Sequence, residues 1–155
     1  MKTVNIVLLS PEIPQNTGNI SRTCAVTGAI LHIIKPIGFE ISDRTLKRAG
    51  LDYWDKLKVV YYDDYEDFCQ RNANANIIYF SSHGKLNYSE IKYPDNVFLM
   101  FGCESVGLPK NIIENNIDKC ARIPMLDGVR CLNLSNSVAI AVYEVLRQGG
   151  FDGFV

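Results

Sequence analysis

The sequence lacks any apolar run long enough to cross a membrane or to serve as a secretory leader. Near the N-terminus the apolar stretch consists of Val4 and residues 6–9, and Pro11-Glu12 ends it. A leader needs a core of about 7–15 apolar residues, and a membrane span needs about 20. We therefore expect neither feature, and we expect the protein to work in the cytoplasm.

The cysteine pattern of a disulfide framework or a structural zinc site is also missing. The 5 cysteines are odd in number, and no two of them are spaced as Cys-x-x-Cys, which argues against both arrangements. The 2 histidines, His32 and His83, stand far along the chain from clusters of Asp, Glu or Cys. These absences predict reduced thiols and no bound metal.

The chain has no excess of positive charge. Its 16 Lys+Arg and 17 Asp+Glu give a net charge of −1 over 155 residues, whereas a typical nucleic-acid-binding module is strongly basic. Contact with RNA or DNA would therefore need a local basic patch or a second subunit. The length predicts a single domain over residues 1–155, with no room for separate cofactor and substrate domains.

The glycine-rich fingerprints of the common nucleotide-binding proteins are absent. The chain contains no Gly-x-Gly-x-x-Gly, and Gly107 is followed by Leu108-Pro109 instead of the Lys-Ser/Thr that ends a phosphate-binding loop. The usual dinucleotide and ATP sites are therefore excluded. A flavodoxin-like or other nucleotide-binding α/β protein remains open on these grounds.

Short apolar segments alternate with helical segments along the chain. Strands are predicted at residues 4–10, 31–35, 57–62, 76–81, 97–102 and 120–123. Helices are predicted at residues 19–27, 43–49, 64–72, 109–115 and 134–148, with a turn at 16–19 before the first. The strands are apolar throughout, which is typical of parallel strands covered on both faces. The sequence therefore predicts an α/β fold with a mostly parallel six-stranded sheet and helices on both faces.

The last predicted helix is unusually apolar. Residues 138–143 include no charged position, whereas a surface helix normally shows a polar stripe. This helix either lies at the centre of the core or is wedged between the core and another subunit.

The loops that follow strands are the candidate site, because open α/β sheets bind ligands at the carboxyl ends of their strands. These loops carry NTGNISR at 16–22, FGCESVGLP at 101–109, and IPM at 123–125 with LNLSN at 132–136. In this order they resemble the three motifs of the SPOUT methyltransferases. With PEIP at 11–14 and RAGLDY at 48–53, the chain resembles more narrowly the small tRNA wobble-nucleotide 2′-O-methyltransferases. The resemblance runs from about residue 5 to residue 149.

The resemblance implies a parallel α/β sheet with a C-terminal trefoil knot, and a homodimer. It also implies methyl transfer from S-adenosylmethionine to the ribose 2′-OH of the wobble nucleotide, position 34 of tRNA. The implied methyl-donor site consists of Phe80, Gly102, Glu104, Ile123, Cys131 and Asn133, with most donor contacts made by backbone groups. Arg22 and Asn16 match the arginine and the asparagine of the first motif and are the expected catalytic residues.

The side-chain chemistry of Arg22 and of Cys131 bears on their expected roles. A guanidinium is essentially always protonated in proteins, so we expect Arg22 to hold a phosphate and the nucleophilic oxygen instead of acting as a free base. Cys131 stands where the family usually has serine. A backbone contact would tolerate that change, but a thiol replaces a hydroxyl hydrogen bond poorly. Covalent attack by Cys131 on a pyrimidine base is the other interpretation.

Positive charge concentrates in one predicted helix. Arg44, Lys47 and Arg48 occur at positions i, i+3 and i+4 and so share a face, and Lys35 at a strand end could extend it. This face predicts contact with the tRNA anticodon stem-loop, although a solvated helix face is the other interpretation. Two further classes of function stay open, namely a non-catalytic dimeric RNA-binding protein of the same fold and a nucleotide- or flavin-binding protein.

Overall fold

The computed structural model describes residues 1–40 and 57–155. Within these ranges the strands are β1 (Thr3–Leu9), β2 (Ile30–Ile34), β3 (Val59–Tyr62), β4 (Ile77–Phe80), β5 (Leu86–Asn87), β6 (Asn96–Phe101) and β7 (Cys120–Arg122). The helices are α1 (Pro14–Thr27), α2 (Tyr65–Arg71), α3 (Lys110–Asn115) and α4 (Leu134–Gln148), with a 3-10 turn at Ile117–Lys119. The predicted helix at residues 43–49 lies outside the described residues.

The strands form one parallel sheet in the order β3-β2-β1-β6-β4-β7-β5. The predicted parallel α/β sheet is therefore confirmed, but the described residues contain seven strands instead of six. The additional strand, β5, has 2 residues and pairs with β7 at Leu86↔Ala121 and Asn87↔Arg122. A pairing this short leaves no periodic pattern in the sequence, since it depends on a neighbour that lies far along the chain.

The order of the strands opens a crevice next to β1. The chain moves outward from β1 to β2 and β3, then returns to the other half of the sheet, where β6 pairs with β1 on one side and β4 on the other. Where the winding direction reverses, the loops at the carboxyl ends of adjacent strands diverge and leave space for a ligand. The fold therefore places a candidate site after β1 and β6.

Helices cover both faces of the sheet, as the apolar strands predicted. One core cluster joins Ile6, Leu31 and Leu99 of the sheet to α1 and α4, and the other joins neighbouring strand residues to Phe68 of α2 and Ile112 of α3. Successive side chains of a strand point to opposite faces, so both clusters draw on the same strands.

The apolar helix α4 belongs to the core on one side only. Its buried residues include Val138, Ala141 and Val142, each 0% exposed, whereas Tyr143 is 46% exposed. Within residues 1–40 and 57–155, no helix has both the length and the apolar character required to cross a bilayer.

Helix α1 begins five residues before its predicted start at residue 19. The turn predicted at Asn16–Asn19 is therefore wrong, and these residues form part of the helix. Pro14 occupies the first turn, where its missing N–H costs nothing. The N-cap residue, Ile13, makes no side-chain cap. Its own N–H and that of Glu12 are bound by a carboxylate from a distant loop, described below.

Other helix ends match their local signals. Gly28 ends α1 with φ +71°, Asp64 accepts a hydrogen bond from the Asp67 N–H at the start of α2, and Asn133 accepts one from the Ser135 N–H at the start of α4. Glycine takes this left-handed conformation without steric cost, and short polar side chains bind the free N–H groups of a first turn.

A buried histidine links three strands. His32 of β2 is 5% exposed. Its Nε2 lies 3.1 Å from Asn5 Oδ1, and its Nδ1 lies 2.8 Å from the Tyr62 hydroxyl. An amide oxygen can only accept, so Nε2 carries the proton and Nδ1 accepts from the tyrosine. Burial, together with the positive charges of Lys58 and Arg71, lowers the pKa of His32 to about 4.

This lowered pKa predicts a loss of stability in mild acid. Below its ordinary pKa of about 6.5, His32 binds a proton more readily in the unfolded chain than in the folded one, until the pH reaches about 4. We expect the free energy of unfolding to fall by about 2 kcal/mol between pH 7 and pH 5 from this group. Urea unfolding at a series of pH values measures the change, and His32→Gln should flatten it. Equal pH slopes for the two proteins would contradict the assignment.

Candidate active site

A cleft of about 720 Å³ opens at the carboxyl ends of β1, β4, β6 and β7. Its walls come from Ile13 and Asn16 after β1, residues 80–83 at the end of β4, residues 101–108 at the end of β6, and residues 123, 125 and 130–134 after β7. Its volume lies within the range of about 300–1,000 Å³ found for small-molecule sites. The cleft therefore occupies the position that the strand order predicts for a ligand.

The loop after β6 forms one wall and is held by contact between two glycines. Gly102 lies so close to Gly107 and Leu108 that a Cβ atom at residue 102 would overlap their backbone. Cys103 and Gly107 form an isolated bridge, and the Gly107 N–H donates to the Cys103 carbonyl at 2.9 Å. The backbone of residues 102–107 thus folds back on itself, because no side chain separates its two ends.

Glu104 connects this loop to the start of α1 by hydrogen bonds. Its carboxylate accepts hydrogen bonds from the Glu12 N–H at 2.8 Å, the Ile13 N–H at 3.0 Å and the Asn16 side-chain amide at 3.2 Å. A negative charge is favourable at a helix N-terminus, where N–H groups have no partner inside the helix. Glu104 therefore acts as the cap of α1 and explains its early start.

Asn16 connects Glu104 to the third motif. The Asn133 amide donates to Asn16 Oδ1 at 2.9 Å, while Asn133 Oδ1 accepts from the Ser135 N–H at 2.9 Å and from the Ser135 hydroxyl at 2.6 Å. Because the Glu104 carboxylate can only accept, the Asn16 amide must face it and its oxygen must face Asn133. Glu104, Asn16 and Asn133 therefore form a chain of hydrogen bonds that joins the loops after β1, β6 and β7.

Apolar side chains also line the cleft. Phe80 and Phe101 stack with their ring centroids 4.8 Å apart and their planes at 18°, and Ile123, Leu132 and Leu134 face the same space. A cleft with apolar walls and a few fixed polar groups suits a flat, partly polar small molecule.

Comparison with known proteins identifies the family. The SpoU rRNA Methylase family matches residues 3–143. The chain belongs to this family. A relative from Escherichia coli (strain K12), named tRNA (cytidine(34)-2′-O)-methyltransferase, is 44% identical, and the match covers 98% of each chain.

Solved structures of similar proteins agree with the SpoU assignment. One, described as giving structural insights into the 2′-OH methylation of C/U34 on tRNA, is 39% identical with a TM-score of 0.90, covering 97% of this chain and 98% of that one. An AdoMet-bound rRNA methyltransferase from Sinorhizobium meliloti is 27% identical with a TM-score of 0.82, covering 94% of this chain and 56% of that one.

The structure gathers most of the expected SpoU site residues in this cleft. The cleft is lined by Asn16, Phe80, Gly102, Glu104, Ile123, Cys131 and Asn133. The Cys131 side chain is exposed there, and no hydrogen bond from its thiol to a described residue is found. The roles assigned to these residues stay predictions.

The residues expected to contact RNA are not gathered in the same way. Arg22 lies on the exposed side of α1 and is absent from the described lining of the cleft. Lys35 forms an ion pair with Asp63 at 3.3 Å, also away from that lining. Arg44, Lys47 and Arg48 lie outside the described residues.

The cleft also contains residues that sequence reasoning did not assign. His83, Cys103 and Arg130 all line the cleft. Arg130 is the single Lys or Arg among the described lining residues. Arg130 could have been found from the sequence, because it directly precedes Cys131, which was expected at the site.

The close contact between Gly102 and Gly107 leads to a testable prediction. In Gly102→Ala, the new methyl group would overlap backbone atoms that cannot rotate away. We expect the free energy of unfolding to fall by about 1–3 kcal/mol, the usual cost of overpacking, as measured by urea unfolding. Val106→Ala, at a side chain that is 80% exposed in the same loop, should change it by less than about 0.5 kcal/mol. Equal effects of the two changes would rule out the proposed overlap.

Proposed function

We propose that this protein is a tRNA methyltransferase that transfers a methyl group from S-adenosylmethionine to the ribose 2′-OH of the wobble nucleotide, position 34. The observation that carries the proposal is the convergence of Asn16, Glu104 and Asn133, one from each motif, on a single cleft. The names of the Escherichia coli relative and of the structure concerned with C/U34 support the same substrate. A cytoplasmic location is part of the proposal, because tRNA is there.

The cleft fits the proposed methyl donor in size and in chemistry. Its volume suits a molecule of this class, and its apolar walls suit an adenine ring and a methionine chain. Phe80, Gly102, Ile123 and Cys131 would hold the donor mainly through backbone groups, with Glu104 and Asn133 in the same site. The donor supplies a methyl group that is activated by bonding to a sulfonium.

The protein's contribution to the reaction is positioning and charge. A bond forms between the ribose oxygen and the methyl carbon while the carbon–sulfur bond breaks, and the hydroxyl proton leaves to water or to a nearby base. Holding the two reactants in line supplies several kcal/mol of the barrier. Arg22 remains protonated, so in this proposal it binds a phosphate and stabilises the negative charge that develops on the oxygen.

The geometry of α1 indicates how Arg22 reaches the reaction. Asn16 is buried and faces the cleft of its own chain. Arg22 follows six residues later, which is about 240° around the helix and about 9 Å along it. We therefore propose that Arg22 serves the cleft of a second copy of the chain.

Exposed apolar side chains support a dimer formed through α1 and α4. Val26, one turn from Arg22 on the same side of α1, is 61% exposed, and Tyr143 of the neighbouring α4 is 46% exposed. Two copies joined here would bury these side chains and bring each Arg22 to its partner. The proposal includes the C-terminal trefoil knot and an RNA surface formed by Lys35, Arg44, Lys47 and Arg48, both implied by the family resemblance.

The activity can be tested directly. We expect bulk tRNA incubated with the protein and labelled S-adenosylmethionine to gain one 2′-O-methyl group at nucleotide 34, as mapped by nuclease digestion and mass spectrometry. Label in a base, or at another nucleotide, would contradict the proposal. Binding of labelled donor without transfer would favour a non-catalytic RNA-binding protein.

The shared site can be tested by mixing two inactive variants. Arg22→Ala should abolish methylation while leaving the affinity for the donor nearly unchanged, and Asn133→Ala should break the link to Asn16. When the two variants are co-expressed, half of the dimers are mixed, and each mixed dimer has one intact site. We therefore expect about a quarter of the wild-type activity to return. If Arg22 acts within its own chain, no activity returns.

A further inference from the structure

Two neighbouring loops at the edge of the cleft are joined by two carboxylates, one from each loop. Glu104 of the loop after β6 accepts from the Glu12 and Ile13 N–H groups, as described above. In return, Glu12 Oε1 accepts from the Ser105 hydroxyl at 2.7 Å, and Glu12 Oε2 accepts from the Ser105 N–H at 3.2 Å. Residues 12–13 therefore donate to residue 104, and residue 105 donates to residue 12.

The hydrogen bonds between Glu12 and Ser105 contribute little to the stability of the fold. Glu12 is half-buried and Ser105 is exposed, and hydrogen bonds at the surface add little to the stability of a fold. The cap of α1 is supplied by Glu104 alone. The contact between Glu12 and Ser105 must therefore be explained by what it holds in place.

Ser105 lies at the turn of the loop that forms one wall of the cleft. Residues 102–108 all line the cleft, and the next residue, Val106, is 80% exposed. In the part of the chain that the structure describes, Glu104 and Ser105 make the hydrogen bonds that join this turn to residues 12–16. The Glu12 carboxylate accepts from both donors of Ser105, so it is one of the contacts that hold this turn in place.

The backbone of Glu12 is itself supported from the opposite side. A Cβ atom at Gly38 would lie 3.0 Å from the Glu12 Cα, and the Gly38 N–H donates to the Pro11 carbonyl at 2.9 Å. Hydrogen bonds from Ser105 and Cys103 lower the pKa of Glu12, so its carboxylate stays ionised at neutral pH and both oxygens accept. Glu12 is thus held in place on its backbone side and accepts from Ser105 with its side chain.

We propose that Glu12 is a positioning residue for the methyl donor, holding through Ser105 the wall formed by residues 102–108 in the shape that binds it. This inference rests on the proposed function only in naming the ligand. A loop already ordered before binding costs less entropy when the ligand arrives, so loss of the Glu12 contact should weaken donor binding and leave the chemical step intact.

The test compares Glu12→Gln, Ser105→Ala and the double variant by calorimetric titration with S-adenosylmethionine in the absence of RNA. We expect each single change to raise the donor Kd about 3- to 10-fold, and the double change to be no worse than the larger single one, as for two partners in one interaction. Ser105→Thr keeps the hydroxyl and should restore affinity close to that of the wild type. Glu90→Gln, at an exposed carboxylate away from the cleft, is the matched control.

Kinetics separate positioning from a general structural effect. The donor KM should rise with the Kd, while kcat at saturating donor and the KM for tRNA stay within about twofold of wild type. Unchanged donor Kd in Glu12→Gln, or a lower Tm with unchanged Kd, overturns the inference, as do fully additive effects in the double variant. A wild-type chain that binds no donor overturns both this inference and the proposed function, whereas a chain that binds donor but methylates no tRNA overturns the proposed function alone.

Discussion

The candidate site depends on one carboxylate. Glu104 comes from the loop after β6 but binds the N–H groups of Glu12 and Ile13 and the side chain of Asn16. The N-cap residue of α1, Ile13, makes no side-chain cap, and Glu104 binds its N–H, which would otherwise need water. By supplying the cap, Glu104 starts α1 at Pro14, carries Asn16 into the cleft and leaves Asn16 Oδ1 facing Asn133. One charged group thereby determines the relative positions of all three motifs.

The sheet makes this interaction possible, because β1 and β6 are neighbours even though about 90 residues separate Glu12 from Glu104. Parallel pairing aligns their carboxyl ends, and the reversal of winding at this point opens the crevice that their loops line. Gly102 then allows the loop after β6 to fold back against Gly107. The resulting wall belongs to the donor site in the proposed function.

The near-neutral charge of this small SpoU protein is matched by a described cleft lining with few basic side chains. The described cleft lining contains a single Lys or Arg, Arg130, and Arg22 is exposed and absent from that lining. The described part of this 155-residue chain, whose net charge is −1, therefore contributes one basic side chain to the cleft. In the proposed dimer the second copy supplies Arg22, so that a protein without an excess of basic residues presents positive charge where the substrate ribose would lie.

The sequence by itself determined what local chemistry controls: the positions of the apolar strands, the end of α1 at residue 27, the bounds of α4 at 134–148, and the motifs that carry the family resemblance. Parallel strands and helix ends leave patterns within a few residues, so they can be predicted without neighbours. The early start of α1, the short strand β5 and the side of α1 that Arg22 occupies depended on contacts between residues far apart in the chain. Only the tertiary structure decided these, because a cap from Glu104, a pairing with β7 and the packing of α1 on the sheet are absent from the local sequence around them.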